Sequence, residues 1–186
     1  MGVVTLLPRG RTFTRDDLDA LPDDGWRHEL IDGVLVMSPA PSIRHQVVAF
    51  ELAVLLRASC PEDLQVFMAP LDVALAVDTV VQPDIIVARR TDLTERDLPA
   101  APRLAVEILS PSTRRFDLSV KKDRLAEAGC PSYWVVDPGD DDQPVSITAW
   151  DLHDEMYVEV ALASGDDVLG VELPFRLNIT PALLVR

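Results

Sequence analysis

The run Arg103-Leu-Ala-Val-Glu-Ile-Leu109 decides the fold. In an extended chain Leu104, Val106 and Ile108 fall on one face, and Ala105 and Leu109 on the other with Glu107 between them. A strand apolar on both faces is a central one, covered by further layers on either side. Glu107 is the anomaly in it. A lone carboxylate in such a place is costly unless it is paired, hydrogen-bonded or bound to a cation.

Upstream, Pro83-Asp-Ile-Ile-Val-Ala88 is a second apolar strand with an acid, Asp84, at its mouth. Two acids on neighbouring strands supply the oxygen ligands that magnesium prefers. Downstream, Asp117 to Ala128 reads as a helix, on which Leu118, Lys121, Leu125 and Ala128 follow at three- and four-residue steps. That stripe should face the core, yet it carries Lys121, while Lys122 takes the solvent side. A buried lysine needs a partner, and Glu107 is the obvious one. Taken singly, each oddity has a plain structural reading: Asp84 capping a turn, Glu107 paired to an arginine, Lys121 snorkelling to water. Their concentration in one strand–strand–helix unit favours an acidic metal site.

Elsewhere, Thr14 caps a short helix through Leu21. His28–Ile31 and Val34–Met37 form a hairpin about Asp32-Gly33. Ser42 caps a helix to about Ser59, read as buried, with Ile43, Val47, Phe50 and Val54 on one face. Leu64 to Val77 is expected to be a strand bent near Pro70, and Arg89 to Pro102 a polar excursion. Ser132–Val136 is a strand, and Val145–Trp150 with Tyr157–Leu162 a terminal hairpin. The mixture gives an α/β or α+β domain, expected to be a single one over residues 1–186.

The 186 residues, 48% hydrophobic and 26% charged, exclude a disordered chain. Cys60 and Cys130 are too few for a disulfide framework and lack metal-ligand spacing. No export or membrane segment is read: Val47–Leu56 is broken by Glu51, and Leu6 stands where a myristoylation signal wants Ser or Thr. A reduced, cytoplasmic setting is the expectation. The net charge of −14 counts against nucleic-acid binding. Two things soften it: acids such as Asp140–Asp142 and Asp166–Asp167 lie away from the candidate site, and bound divalent metal would cancel those within it.

Four blocks carry a family resemblance: HELIDGVLVMSP from His28, VVQPDIIV from Val80 with its Pro83-Asp84, VEILSPSTRRFDLSVKK from Val106, and GCPSYWVVDP from Gly129. In order, over roughly Thr12 to Tyr157, they closely resemble the Uma-two family, bacterial proteins labelled restriction endonucleases and formerly a domain of unknown function. The resemblance implies a PD-(D/E)XK, restriction-endonuclease-like fold: a mixed central sheet flanked by helices on both faces, with a C-terminal β-hairpin. It implies Asp84 as the motif aspartate and Glu107 as the second acid. The usual lysine would stand at Leu109; the family's lysine on the following helix matches Lys121, and Glu29 resembles a supplementary acid. Leu125 departs from the tyrosine that many members carry.

The resemblance further implies that Asp84 and Glu107 bind Mg²⁺ (or Mn²⁺), that Lys121 orients or deprotonates a water, and that Glu29 assists a second metal or fixes Lys121. Alanine at Asp84, Glu107 or Lys121 is then expected to abolish metal-dependent cleavage and leave the fold intact. DNA is the implied substrate, and a homodimer the implied assembly by analogy with the fold.

Lesser candidates stand beside bland readings. His45 matches a histidine common in the family and could touch substrate or metal, but a surface histidine bonded to backbone weighs as much. Arg114, Arg115, Lys122 and Arg124 form a basic patch that could hold a phosphate backbone, although Asp117 and Asp123 dilute it and a solvated face is the plainer reading. Tyr133-Trp134 reads as core, and Asp137, just after a strand, is a minor extra. Ser110 and Ser112 lack the Gly-x-Ser-x-Gly elbow of a hydrolase. A nuclease-fold protein that no longer cuts, serving as a metal-binding or protein-interaction module, is the alternative, favoured by the acidic charge.

Overall fold

The doubly apolar run is an inner strand of a six-stranded sheet. The structure, a computed structural model, describes residues 4–6, 10–22, 24–110 and 116–186. Its elements begin with β1 (Val4–Leu6), α1 (Arg15–Asp19), β2 (Arg27–Ile31), β3 (Val34–Ser38) and α2 (Ile43–Ser59). There follow β4 (Leu64–Met68), β5 (Val73–Ala76), β6 (Thr79–Val81), β7 (Ile85–Arg89), β8 (Leu104–Ile108), α3 (Lys122–Glu127) and β9 (Ser132–Asp137). The chain ends with β10 (Ser146–His153), β11 (Met156–Ser164), β12 (Leu169–Val171), β13 (Leu177–Ile179) and a 3-10 turn over Pro181–Val185.

The main sheet has the order β11-β10-β9-β8-β7-β4, with β8 and β9 parallel and its other pairs antiparallel. A second, antiparallel sheet runs β1-β3-β2-β6-β5. β8 explains the layering. Leu104, Val106 and Ile108 pack with Val48, Leu52 and Leu56 of α2. Ala105 and Leu109 pack with Leu125 of α3, so helices cover both faces. On that second face, Ile86 and Ala88 of β7 meet Ile31, Val36, Val73 and Val81 of the second sheet.

The α3 connection makes the crossover that parallel strands require. It opens with a π-helical turn over Phe116–Lys121 before tightening at Lys122, a feature that recurs at functional sites. Asp32 (φ 53°) and Gly33 (φ 71°) form the expected hairpin turn. Gly33 is also sterically required, since a Cβ there would stand 2.5 Å from the Cβ of Thr12.

Three expectations are corrected. The buried side of α2 is His45, Val48, Ala49, Leu52, Ala53 and Leu56, whereas Ile43, Phe50 and Val54 are exposed. The helix is apolar nearly all round, so periodicity does not choose a face; the small Ala49 and Ala53 allow close approach to the sheet. Leu64–Val77 is two strands in two sheets, parted where Pro70 has no N–H to continue a ladder. The β10–β11 hairpin is not terminal, because β12, β13 and the 3-10 turn return to pack on the α2 side. The polar excursion also contributes fully buried Leu98, which bridges to Val73.

Candidate functional site

The site forms where the chain crosses from β6 in one sheet to β7 in the other through Gln82-Pro83-Asp84. The register pairs Ile85 with Val106, and one step further sets Asp84 opposite Glu107. Asp84 is buried, and each of its oxygens is engaged. Oδ1 lies 2.5 Å from the guanidinium of Arg27. Oδ2 accepts the Ile108 N–H at 2.8 Å and lies 3.1 Å from Nε2 of His45. Burial pushes its carboxyl up, but the His45 hydrogen bond, the Arg27 charge and the Ile108 N–H together hold it below the ordinary value.

Behind this pair lies Lys121, whose Nζ stands 2.9 Å from Oε1 of Glu29 and 3.2 Å from Oε1 of Glu107. All three residues are at most 2% exposed, so the ions are compensated by one another rather than by water. The Gln82 N–H donates to the same Glu29 oxygen at 2.7 Å. The two-residue period of β2 places Arg27 and Glu29 on the face of Ile31, which packs toward the main sheet. Glu29 and Arg27 therefore reach the two central acids from one strand.

Asp84 and Glu107 open on a cavity of about 240 Å³, walled also by Arg27, Ser38, Arg44, His45, Ile108 and Ser110. His45 sits in the first turn of α2, where Ser42 caps its N–H at 3.2 Å. It is buried rather than on the helix surface, and its Nδ1 has no hydrogen-bond partner among the described residues. Among those residues no three acidic, histidine or cysteine side chains converge as a metal cage.

Of the basic patch, Lys122 and Arg124 are engaged by other residues. The Lys122 ammonium lies 3.8 Å over the Trp150 ring, and burial lowers its pKa. Arg124 is held by Asp32 and Glu127. Ser112, Arg114 and Arg115 lie outside the described residues, as do the side chains of Asp117 and Leu118. Tyr133 and Trp134 are wholly buried core. Asp137 accepts the Gly139 N–H at 3.1 Å beside the cavity wall. His28 pairs with Asp24 at 3.6 Å, away from both acids.

Sequence reasoning missed Arg27 and Arg44. Arg27 was legible: two residues before Glu29, it shares that face once the strand is begun one residue earlier. Arg44, which donates to the Pro138 carbonyl at 2.8 Å, has no such signal, since its place depends on how α2 docks.

Among the described residues no helix is long and apolar enough to cross a membrane. No curated protein matches the chain. Its fold is similar to that of a crystal structure described as "a putative nuclease belonging to DUF820" from Anabaena variabilis ATCC 29413. The TM-score is 0.73 at 19% identity, over 93% of this chain and 97% of that one. The model of the Uma2 family, described as "Putative restriction endonuclease", matches residues 15–184, and with nearly the whole sequence so covered the chain belongs to that family.

Proposed function

We infer that this chain is a divalent-metal-dependent endonuclease hydrolysing DNA phosphodiester bonds, acting as one domain over residues 1–186 in the cytoplasm. One observation carries the reading: Asp84 and Glu107 face a single cavity, with buried Lys121 3.2 Å behind Glu107. Two carboxylates are hard oxygen donors that fit Mg²⁺ or Mn²⁺. Magnesium is commonly held by only one or two carboxylates, with water and phosphate completing its shell, so a third protein ligand is not required. Asp84 and Glu107 would hold the ion, which when bound would supply Lewis-acid polarisation of a phosphoryl oxygen and a lowered pKa of water.

The chain's own residues do the rest. Lys121, held as an ammonium by Glu29 and Glu107, would orient the attacking water and balance charge developing on the phosphate. His45 holds Asp84 in place. Arg27 and Arg44 bring positive charge to the cavity wall of a chain whose net charge is −14, and suit the oxygens of a phosphodiester. Cleaving both strands of a duplex requires two such sites, which makes a homodimer the working unit.

One observation favours a second reading. Asp84 is saturated by Arg27, His45 and Ile108, a closed network that a non-cleaving metal-binding or protein-interaction module would keep. Calorimetry with Mg²⁺ and Mn²⁺ on wild type and Asp84→Asn, with plasmid nicking on the same samples, separates the two. Binding and nicking that both vanish in the variant support the nuclease. Metal binding without nicking of any DNA tried turns the assignment to the non-cleaving module.

A further inference from the structure

The outer side of α2 is apolar and uncovered. Phe50 is 57% exposed, Val54 47%, and Met68 on the adjacent β4 40%. With Ala53, Ala58 and Val66 they form a shallow depression of about 460 Å³. Among the described residues β4 is the last strand of the main sheet, so the depression lies at that sheet's edge. The Arg90 N–H donates to the Asp63 carbonyl and the Ala69 N–H to that of Asp84. Alternation along the antiparallel ladder then turns Gln65 and Phe67 toward β7, and the N–H and C=O of Val66 and Met68 outward. An open strand edge beside exposed large apolar side chains is a surface that proteins cover.

We propose that a second copy of this chain covers it, in a twofold contact centred on Val54 with the two β4 edges side by side. This deepens the homodimeric reading given above by locating its interface. Charge selects the occupant. Two chains of net charge −14 repel wherever acids meet acids, so self-association needs a place where charges pair. Glu51 and Arg57 stand three residues either side of Val54. Antiparallel pairing of two α2 helices about Val54 brings Arg57 against the partner's Glu51, and by symmetry Glu51 against the partner's Arg57. The same pairing sets Phe50 opposite the partner's Ala58, a large side chain against a small one.

The strand fits the same axis. α2 and β4 run in opposite directions through the turn at residues 60–63. Val54 lies five helical residues before Ser59 and Val66 two strand residues after Leu64, each about 7 Å from the turn. Both are thus at one level, and one twofold serves helix and strand. The contact is isologous, so it closes at two copies and leaves no further sheet edge at β4.

Sedimentation velocity over a concentration series tests this, with Mg²⁺-dependent nicking measured on the same samples. Wild type is expected at twice the chain's 20.5 kDa. Val54→Asp, at a half-exposed position, is expected at the monomer mass with an unchanged circular dichroism spectrum. Arg57→Glu breaks two symmetry-related pairs and should raise the dimer dissociation constant about tenfold, while Glu51→Arg with Arg57→Glu should restore it. A wild-type monomer at every concentration overturns the proposal, as does a Val54→Asp dimer or a double variant no tighter than the single one. A monomer that still nicks DNA would remove the interface and leave the nuclease reading standing. A dimer of the expected kind that binds no metal would do the reverse.

Discussion

The ammonium of Lys121 lies 3.2 Å from the carboxylate of Glu107, with a helix supplying one and a strand the other fourteen residues earlier. Both side chains are almost wholly buried, and Glu29 completes the group at 2.9 Å. The charges therefore depend on one another. Removing one partner of a buried ion pair costs roughly 3–5 kcal/mol, because the charge left behind is uncompensated.

Lys121→Ala is accordingly expected to lose roughly 3–5 kcal/mol in urea denaturation. This argues against the sequence-based expectation that alanine at this position leaves the fold intact. Lys122→Ala, which loses only a cation over the Trp150 ring, should lose about 1 kcal/mol or less. Equal midpoints for the two variants would show that the buried cluster contributes nothing special to stability.

Asp84 sets an acid-side signature. Its folded carboxyl lies below the ordinary value of 3.8: burial opposes ionisation, but His45, Arg27 and the Ile108 N–H outweigh it. A depressed folded pKa contributes stability above the unfolded value, and that contribution is lost as pH falls through the folded one. The stability difference between wild type and Asp84→Asn should thus stay level from about pH 5 to the ordinary carboxylate value and shrink below it. A difference that stays flat to the acid transition would mean that Asp84 is not held ionised.

The two cysteines should behave differently toward an alkylating reagent. Burial pushes the Cys130 thiol up to about 11, and its Sγ donates to the Ser132 carbonyl at 3.2 Å. Cys60 is also raised by burial but remains partly exposed. Since the thiolate is the reactive form, native protein at mildly alkaline pH should label at Cys60 alone, and denatured protein at both. Labelling of Cys130 at the Cys60 rate would contradict the packing of α3 against β8 and β9.

What was legible in the sequence follows from where periodicity is unambiguous. β8 reads correctly because both faces are apolar and one residue, Glu107, breaks the pattern. Lys121 reads correctly because a cation on an apolar stripe has few places to go. α2 reads wrongly because Ile43, Val47, Phe50 and Val54 make as good a stripe as the one that is buried. Only the docking of Ala49 and Ala53 against the sheet distinguishes them. Arg27 and His45 escaped a firm assignment for a related reason. Each is an ordinary polar residue at the start of its element, and its meaning appears only when β2 and α2 converge on Asp84 from opposite sides of the main sheet.

Arg27 yields the prediction that most tests this convergence. Its guanidinium occupies Oδ1 of Asp84, an oxygen that a divalent ion held by this carboxylate would compete for. In this cluster three buried carboxylates (Glu29, Asp84 and Glu107) stand against two cations, Arg27 and Lys121. A divalent ion there would reverse the sign of the cluster, and one phosphodiester would then neutralise it. Arg27→Gln removes the competitor and is expected to tighten Mn²⁺ binding about tenfold, equivalent to about 1.4 kcal/mol. The same variant should lose affinity for DNA in metal-free buffer, since a phosphate partner is gone. Tighter metal with weaker DNA is the pattern of an arginine that moves from Asp84 to substrate. Weaker Mn²⁺ binding would instead make Arg27 a fixed support for the carboxylate, and the exchange of partners would have to be abandoned.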